Sequence, residues 1–227
     1  MGAINPIEQN LNNVKKLINS TEVSVGRASN SVSLVAVSKQ HSLEAITQVF
    51  NAGHKVFGEN RVQEALTKFP GIKEAHTDLE LHLIGPLQTN KVRDAVNLFD
   101  VIETLDRPKL AKEIAREIDR TGKKIDLLIQ VNTGEEAQKS GVLPSNFDGF
   151  FKYCCEDLNL PVKGLMCIPP VDEEPAMHFD LLAEMSRRNG LFCLSMGMSA
   201  DFETAIRMGA THVRIGTAIF GERKTVG

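Results

Sequence analysis

The chain has 227 residues, 42% of them apolar and 24% charged, close to an ordinary globular domain and unlike a disordered one. Its formal net charge of −3 leaves no global basic field for nucleic acid or an anionic membrane, and no apolar run approaches the roughly 20 residues that span a bilayer. Cys154, Cys155, Cys167 and Cys193 form no CxxC pair and the six histidines lack metal-ligand spacing, so reduced packing thiols, no metal site and a cytoplasmic location are expected.

The opening MGAINPIEQN has no basic stretch followed by an apolar one, and no signal peptide is expected. Ile7, Leu11, Val14 and Leu17/Ile18 fall at helical spacing, which predicts an amphipathic helix ahead of any strand. Strand-like and helical runs then alternate. The predicted strands are 33–38, 54–57, 80–84, 101–104, 125–132, 162–168, 192–196 and 212–215. Between them Leu110, Ile114 and Ile118 mark one helical stripe, and Leu181, Leu182 and Met185 another. Gly53, Gly122, Gly190 and Gly209 follow helix-like segments, where a left-handed residue commonly ends a helix. The alternation predicts an α/β fold, a (β/α)8 TIM-type barrel of parallel strands with an extra N-terminal helix; a doubly wound open sheet is the alternative. No linker or low-complexity tract divides the chain, so 1–227 reads as a single domain.

The run SVSLVAVSKQHS (31–42) ends an apolar stretch on Lys39. A lysine there points its amine into whatever the strand ends surround. Burial lowers an amine's pKa, and the neutral form condenses with an aldehyde. A solvated lysine opening a loop is the plain alternative. The last two strand–helix junctions, SMGMS (195–199) and RIGTAIFG (214–221), lie where barrels commonly bind phosphate. Gly197 and Gly216 would let backbone N–H groups approach the anion, and Ser199 and Thr217 would donate hydroxyls. Ser199 would also cap a helix over 201–208; turn glycines and a simple capping serine are the other reading.

Arg214 stands two residues before Gly216, with Val213 and Ile215 facing the other way, so its side chain should enter the barrel mouth. Buried there, it needs either a carboxylate partner, Glu59 or Asp106, or a ring acceptor. His82 in LHLIG should also face inward, against that ring or as a hydrogen-bonded core histidine. Met166, Met196 and Met198 would supply apolar walls or fill core gaps. An amine, a phosphate loop and an arginine at one mouth fit pyridoxal 5'-phosphate.

The stretches LVAVSK (34–39), FGENRVQE (57–64), HLIGPLQTNKVR (82–93), IQVNTGEEAQKSG (129–141), GLMCIPP (164–170), LSMGMSADFETAI (194–206) and VRIGTAIFGER (213–223) resemble the YggS/PROSC family of pyridoxal phosphate homeostasis proteins, single-domain relatives of the alanine racemase barrel. The resemblance runs from the first strand to the C-terminus. It implies that Lys39 carries the cofactor as a Schiff base, that Asn60 and His82 lie near the ring, that Arg214 faces the pyridine nitrogen, and that Ser199, Gly216 and Thr217 hold the phosphate. Arg61 departs from the family pattern, where tyrosine is usual, and puts only that rim in doubt.

The same resemblance implies that racemases use a tyrosine base from a second, β-rich domain, for which this chain, ending at Gly227, has no counterpart. Its only tyrosine, Tyr153, is expected mid-helix, far from the strand ends. A guanidinium beside the ring nitrogen also leaves the electron sink weak. A non-catalytic carrier that buffers pyridoxal phosphate and delivers it to apo-enzymes is therefore expected, as a monomer, since no exposed helix carries a long apolar seam. The alternatives are a weak amino-acid racemase or lyase and a phosphosugar barrel with an aldolase-type Lys39. Lys91 and Lys139, also near predicted strand ends, are candidates for a second aldehyde site.

Overall fold

The computed structural model describes residues 5–222. Its strands are β1 (Ser33–Val37), β2 (Val56–Glu59), β3 (Glu80–Leu83), β4 (Val101–Leu105), β5 (Asp126–Val131), β6 (Val162–Cys167), β7 (Cys193–Ser195) and β8 (His212–Ile215). Each pairs in parallel with the next, and β8 closes on β1 through Ser33↔His212 to Ala36↔Ile215. The expected closed barrel is therefore the fold, and the open sheet is excluded.

The helices are α1 (Pro6–Ser24), α2 (Leu43–Asn51), α3 (Val62–Lys68), α4 (Pro70–Ala75), α5 (Val92–Leu98), α6 (Pro108–Thr121), α7 (Phe147–Lys152), α8 (Pro175–Arg188), α9 (Phe202–Arg207) and α10 (Thr217–Phe220). The extra N-terminal helix is α1. Asn5 caps it by accepting from the Ile7 N–H, and Pro6 occupies its first turn. Its buried stripe is Leu11, Val14 and Ile18, with Leu17 turned outward. The helix packs on α2, α9 and α10, where Asn10 donates to the Ile219 carbonyl at 3.1 Å. In α6 the predicted stripe buries Leu110 and Ile114, and Gly122 ends the helix at φ 66°. Gly53, Gly190 and Gly209 also have positive φ, as expected.

Strand alternation sorts side chains into two apolar layers. Leu34, Phe57, Leu81, Ile102, Leu127, Leu165, Val213 and Ile215 join the large cluster beneath the helices. Val101, Leu128 and Met166 form a separate small cluster inside the barrel. The barrel interior is thus a packed core, partly polar, rather than a pore.

The prediction for β2 was two residues early. His54 lies before the strand, its ring held at 2.8 Å from the Val56 carbonyl, and Gly58 and Glu59 belong to the strand. Gly58 faces the interior, where a Cβ would stand 2.9 Å from Val35 Cγ1. An inward strand position without room for a side chain reads, in sequence, like a loop glycine.

Candidate functional site

A cavity of about 310 Å³ opens at the C-terminal end of the strands. Lys39 and His41 reach it from the β1–α2 junction, Asn60 from the end of β2, Ser199 from the β7–α9 turn, Arg214 from β8, and Gly216 and Thr217 from the start of α10. Val37, Ile84, Ile168 and Met198 are its apolar walls. Six of the seven predicted site residues therefore share one cavity.

Glycines set how closely these junctions approach. A Cβ on Gly85 would lie 2.3 Å from the Asn60 carbonyl oxygen, so only glycine lets the ends of β2 and β3 meet and hold Asn60 at the rim. A Cβ on Gly216 would come 3.2 Å from the Val37 carbonyl, at the floor shared by β1 and β8.

His82 does not line this cavity. It is buried lower in the barrel, and Ile84, two residues later and just past the end of β3, is the residue that reaches the cavity wall. Alternation places a side chain inside or outside but says nothing about its height. His82 lines a second cavity at the N-terminal end of the strands, of about 410 Å³, with Glu80, Glu103, Asp126 and His212.

Arg214 is buried and paired as expected, but with neither Glu59 nor Asp106. One of its terminal nitrogens donates to Ser195 Oγ at 2.7 Å and lies 3.8 Å from Glu103 Oε2; the other donates to the Cys167 carbonyl at 2.8 Å. Ser195 in turn donates to Glu103 Oε2 at 2.5 Å. Glu59 lies on the outer face of β2 beside Ser38 and Lys68, and Asp106 pairs with Arg107.

Glu103 was not singled out in the sequence, although a carboxylate at an inward position of VIETL (101–105) was the available signal. It is fully buried and joins two cations: Oε1 lies 2.7 Å from His82 Nδ1 and Oε2 faces Arg214. Burial opposes its charge, but the His82 hydrogen bond and the charges of His82 and Arg214 outweigh that and hold its pKa at about 2. Burial likewise opposes the imidazolium, yet hydrogen bonds to Glu103 and Glu80 raise His82 to about 9. Burial lowers the pKa of the neighbouring His212. A charged chain thus runs along the barrel axis from Glu80 to Arg214, ending at the cavity wall.

The phosphate-loop expectations divide. Gly197 is buried off the cavity at φ 93°, and a Cβ there would meet Ala205 Cβ at 2.5 Å; it fits the turn against α9 instead of approaching a ligand. Ser199 does not cap α9. The residue before that helix is Asp201, whose carboxylate accepts from the Met198 N–H at 2.6 Å, so the exposed Ser199 is left on the cavity rim. Of the methionines, Met198 lines the cavity, Met196 joins the outer core and Met166 the inner one.

Tyr153 is nearer the strand ends than expected. It opens a π-helical turn, Tyr153–Asp157, and lines a separate groove with Asp106 and Val142. Lys91 lies in another groove that also touches Asn60. Lys139 pairs with Glu136 and donates to the Pro169 carbonyl at 3.2 Å. His41, which sequence reasoning missed, stacks on Phe220 at 4.7 Å between ring centroids.

Comparison with known proteins agrees with the barrel fold. Residues 7–224 match the family model described as alanine racemase, N-terminal domain. The chain is 46% identical over 208 residues to a pyridoxal phosphate homeostasis protein of Aquifex aeolicus, covering 88% of this chain and 90% of that one. It is 42% identical over 227 residues to the protein of that name in Vibrio cholerae, covering 96% of both. Among solved structures, Synechococcus elongatus PipY with pyridoxal phosphate bound superposes with a TM-score of 0.77 at 35% identity, covering 90% of this chain and all of PipY.

Proposed function

The chain belongs to the pyridoxal phosphate homeostasis proteins of the alanine racemase N-terminal domain family, and from that premise we propose that it holds pyridoxal 5'-phosphate covalently through the amine of Lys39. Its function is intracellular homeostasis of that cofactor. The observation that carries the reading is the convergence of Lys39, Arg214, Ser199 and Thr217 on one cavity.

The residues present suit each part of the molecule. Bound pyridoxal phosphate supplies an aldehyde and an electron-accepting ring. Lys39 is the amine for the aldehyde carbon. Ser199 and Thr217 offer hydroxyl donors for the phosphate, beside a glycine, Gly216, where a Cβ would be a tight fit against the Val37 carbonyl. Val37, Ile84, Ile168 and Met198 suit the faces of an aromatic ring, and Asn60 its polar edge. Two donors of Arg214 are engaged by Ser195 and Cys167, and the remaining ones suit a ring nitrogen. His82, buried below Ile84, is better placed to steady Arg214 through Glu103 than to touch the ring.

We place the protein as a carrier that buffers the cofactor and passes it to apo-enzymes. A guanidinium keeps its proton at all accessible pH, so Arg214 can donate a hydrogen bond to the ring nitrogen without protonating it, which leaves the ring a weak electron sink. Racemisation further needs one acid–base group on each face of the substrate carbon. Among the described residues, the ionisable side chains lining the cavity are Lys39, His41 and Arg214, and Tyr153 belongs to another groove. His41 favours a second reading, a weak racemase or lyase. The free cysteines suit a cytoplasmic setting, and a one-domain monomer is the proposed state.

The test is borohydride reduction of the protein incubated with pyridoxal phosphate, followed by peptide mapping, with Lys39→Ala as control. The label is expected on Lys39 alone; a label elsewhere or none refutes the reading. Incubation of the loaded protein with L-alanine separates carrier from enzyme. Lys39-dependent formation of D-alanine at a turnover rate would establish the second reading.

A further inference from the structure

We propose that Glu64 and Lys68 on α3, backed by Glu59, are positioning residues for Lys39 that clamp both peptide groups flanking it from outside the barrel. This rests on Lys39 being the cofactor's anchor. The carbonyl of the Ser38–Lys39 peptide accepts from Lys68 Nζ at 3.1 Å. The N–H of the Lys39–Gln40 peptide donates to Glu64 Oε1. Lys68 and Glu64 are themselves an ion pair one helical turn apart, and Lys68 also donates to Glu59 Oε1 at 3.2 Å. Glu59 Oε1 closes the circuit by accepting from Ser38 Oγ at 2.7 Å.

Two features show what the clamp opposes. The β1 strand ends at Val37; beyond it the Ser38 N–H donates to the Gly58 carbonyl at 3.0 Å and the His41 N–H to the Ser38 carbonyl at 3.1 Å, and Gln40 between them adopts φ 63°, a left-handed conformation that disfavours a non-glycine residue. Those backbone bonds hold Ser38; loss of the side-chain clamp would let the Lys39–Gln40 peptide turn and shift the amine of Lys39 with it. The clamp is also expensive to build. Glu59 is fully buried with Oε2 lacking any partner among the described residues, and Lys68 is only 12% exposed. A buried charge cluster contributes little net stability compared with apolar packing. Its value lies in geometry: a displacement of about 1 Å at a reacting group can cost on the order of 100-fold in rate.

Glu64→Ala removes the acceptor for the Gln40 N–H; Glu64→Gln keeps an oxygen there. Lys68→Met removes the side-chain donor to the Ser38 carbonyl, which keeps its bond from the His41 N–H, and the double variant Glu59→Gln/Lys68→Met removes the buried carboxylate's charge with it, so that folding is preserved. Two readouts are needed: amide hydrogen exchange at Gln40 in cofactor-free protein, and the time course of borohydride-trappable pyridoxal phosphate on Lys39. Glu64→Ala is expected to expose the Gln40 amide and slow capture about tenfold or more. Glu64→Gln should recover most of both, and the double variant should slow capture with the thermal midpoint retained. Folded Glu64→Ala and double variants that capture at the wild-type rate would overturn the clamp alone. A wild-type protein that captures no cofactor on Lys39 would overturn the functional reading, and the clamp's purpose with it.

Discussion

Glu103→Gln removes the negative charge between His82 and Arg214 while keeping the side chain's size. Both cations are nearly inaccessible, Arg214 at 4% and His82 at 1% exposure, so water cannot replace the lost partner. His82 can escape by giving up its proton. Its rise from 6.5 to about 9 corresponds to roughly 3 kcal/mol at about 1.4 kcal/mol per pH unit, the net by which Glu103 and Glu80 together outweigh the burial that opposes its charge. Arg214 has no such escape, and breaking a buried pair from one side costs about 3–5 kcal/mol. For a chain of this size that lowers the thermal midpoint by roughly 6–20 °C. The pH dependence carries a second signature. The folded-state pKa of His82 lies above its unfolded value, so its contribution is fully present below about pH 6.5 and is lost as pH rises through about 9. Wild type should therefore lose stability between pH 7 and 10 by this route, and Glu103→Gln should show a much shallower slope. Thermal or urea unfolding across that range measures both. A variant with an unchanged midpoint and the same alkaline slope would refute the ion-chain account of the barrel interior.

Ser199→Ala and Thr217→Ala each remove one hydroxyl from the cavity rim; loss of a hydrogen bond to a charged group is worth about 1.5–3 kcal/mol, so the double variant should weaken pyridoxal phosphate binding by at least tenfold in equilibrium dialysis, with the fold intact. Gly85→Ala would place a Cβ 2.3 Å from the Asn60 carbonyl, and should lower both the thermal midpoint and cofactor retention by forcing the ends of β2 and β3 apart. Burial pushes the thiols of Cys154, Cys167 and Cys193 up to about 12, and that of Cys155 upward less far. A thiol reagent such as DTNB at pH 8 should therefore react first at Cys155 and slowly elsewhere, and rapid modification of Cys167 in the native protein would contradict its packing.

The sequence alone determined the alternation of strands and helices, the left-handed glycines that end helices, the inward side of Arg214 and the exit of Lys39 from β1. These are local properties, set by periodicity and by backbone conformations that few residues tolerate. What depends on neighbours across the barrel was decided only by the tertiary structure. Glu103, on β4, neutralises Arg214 because barrel register and strand tilt bring their inward faces together, and no spacing along the chain encodes that meeting. His82 falls below the cavity and His41 beside it for the same reason: alternation assigns a face, whereas height along the barrel axis follows from how eight strands are staggered on closing. Ser199 stands at the cavity rim while Asp201, two residues later, takes the position before α9, a choice between two local hydrogen-bonding residues that spacing along the chain does not settle.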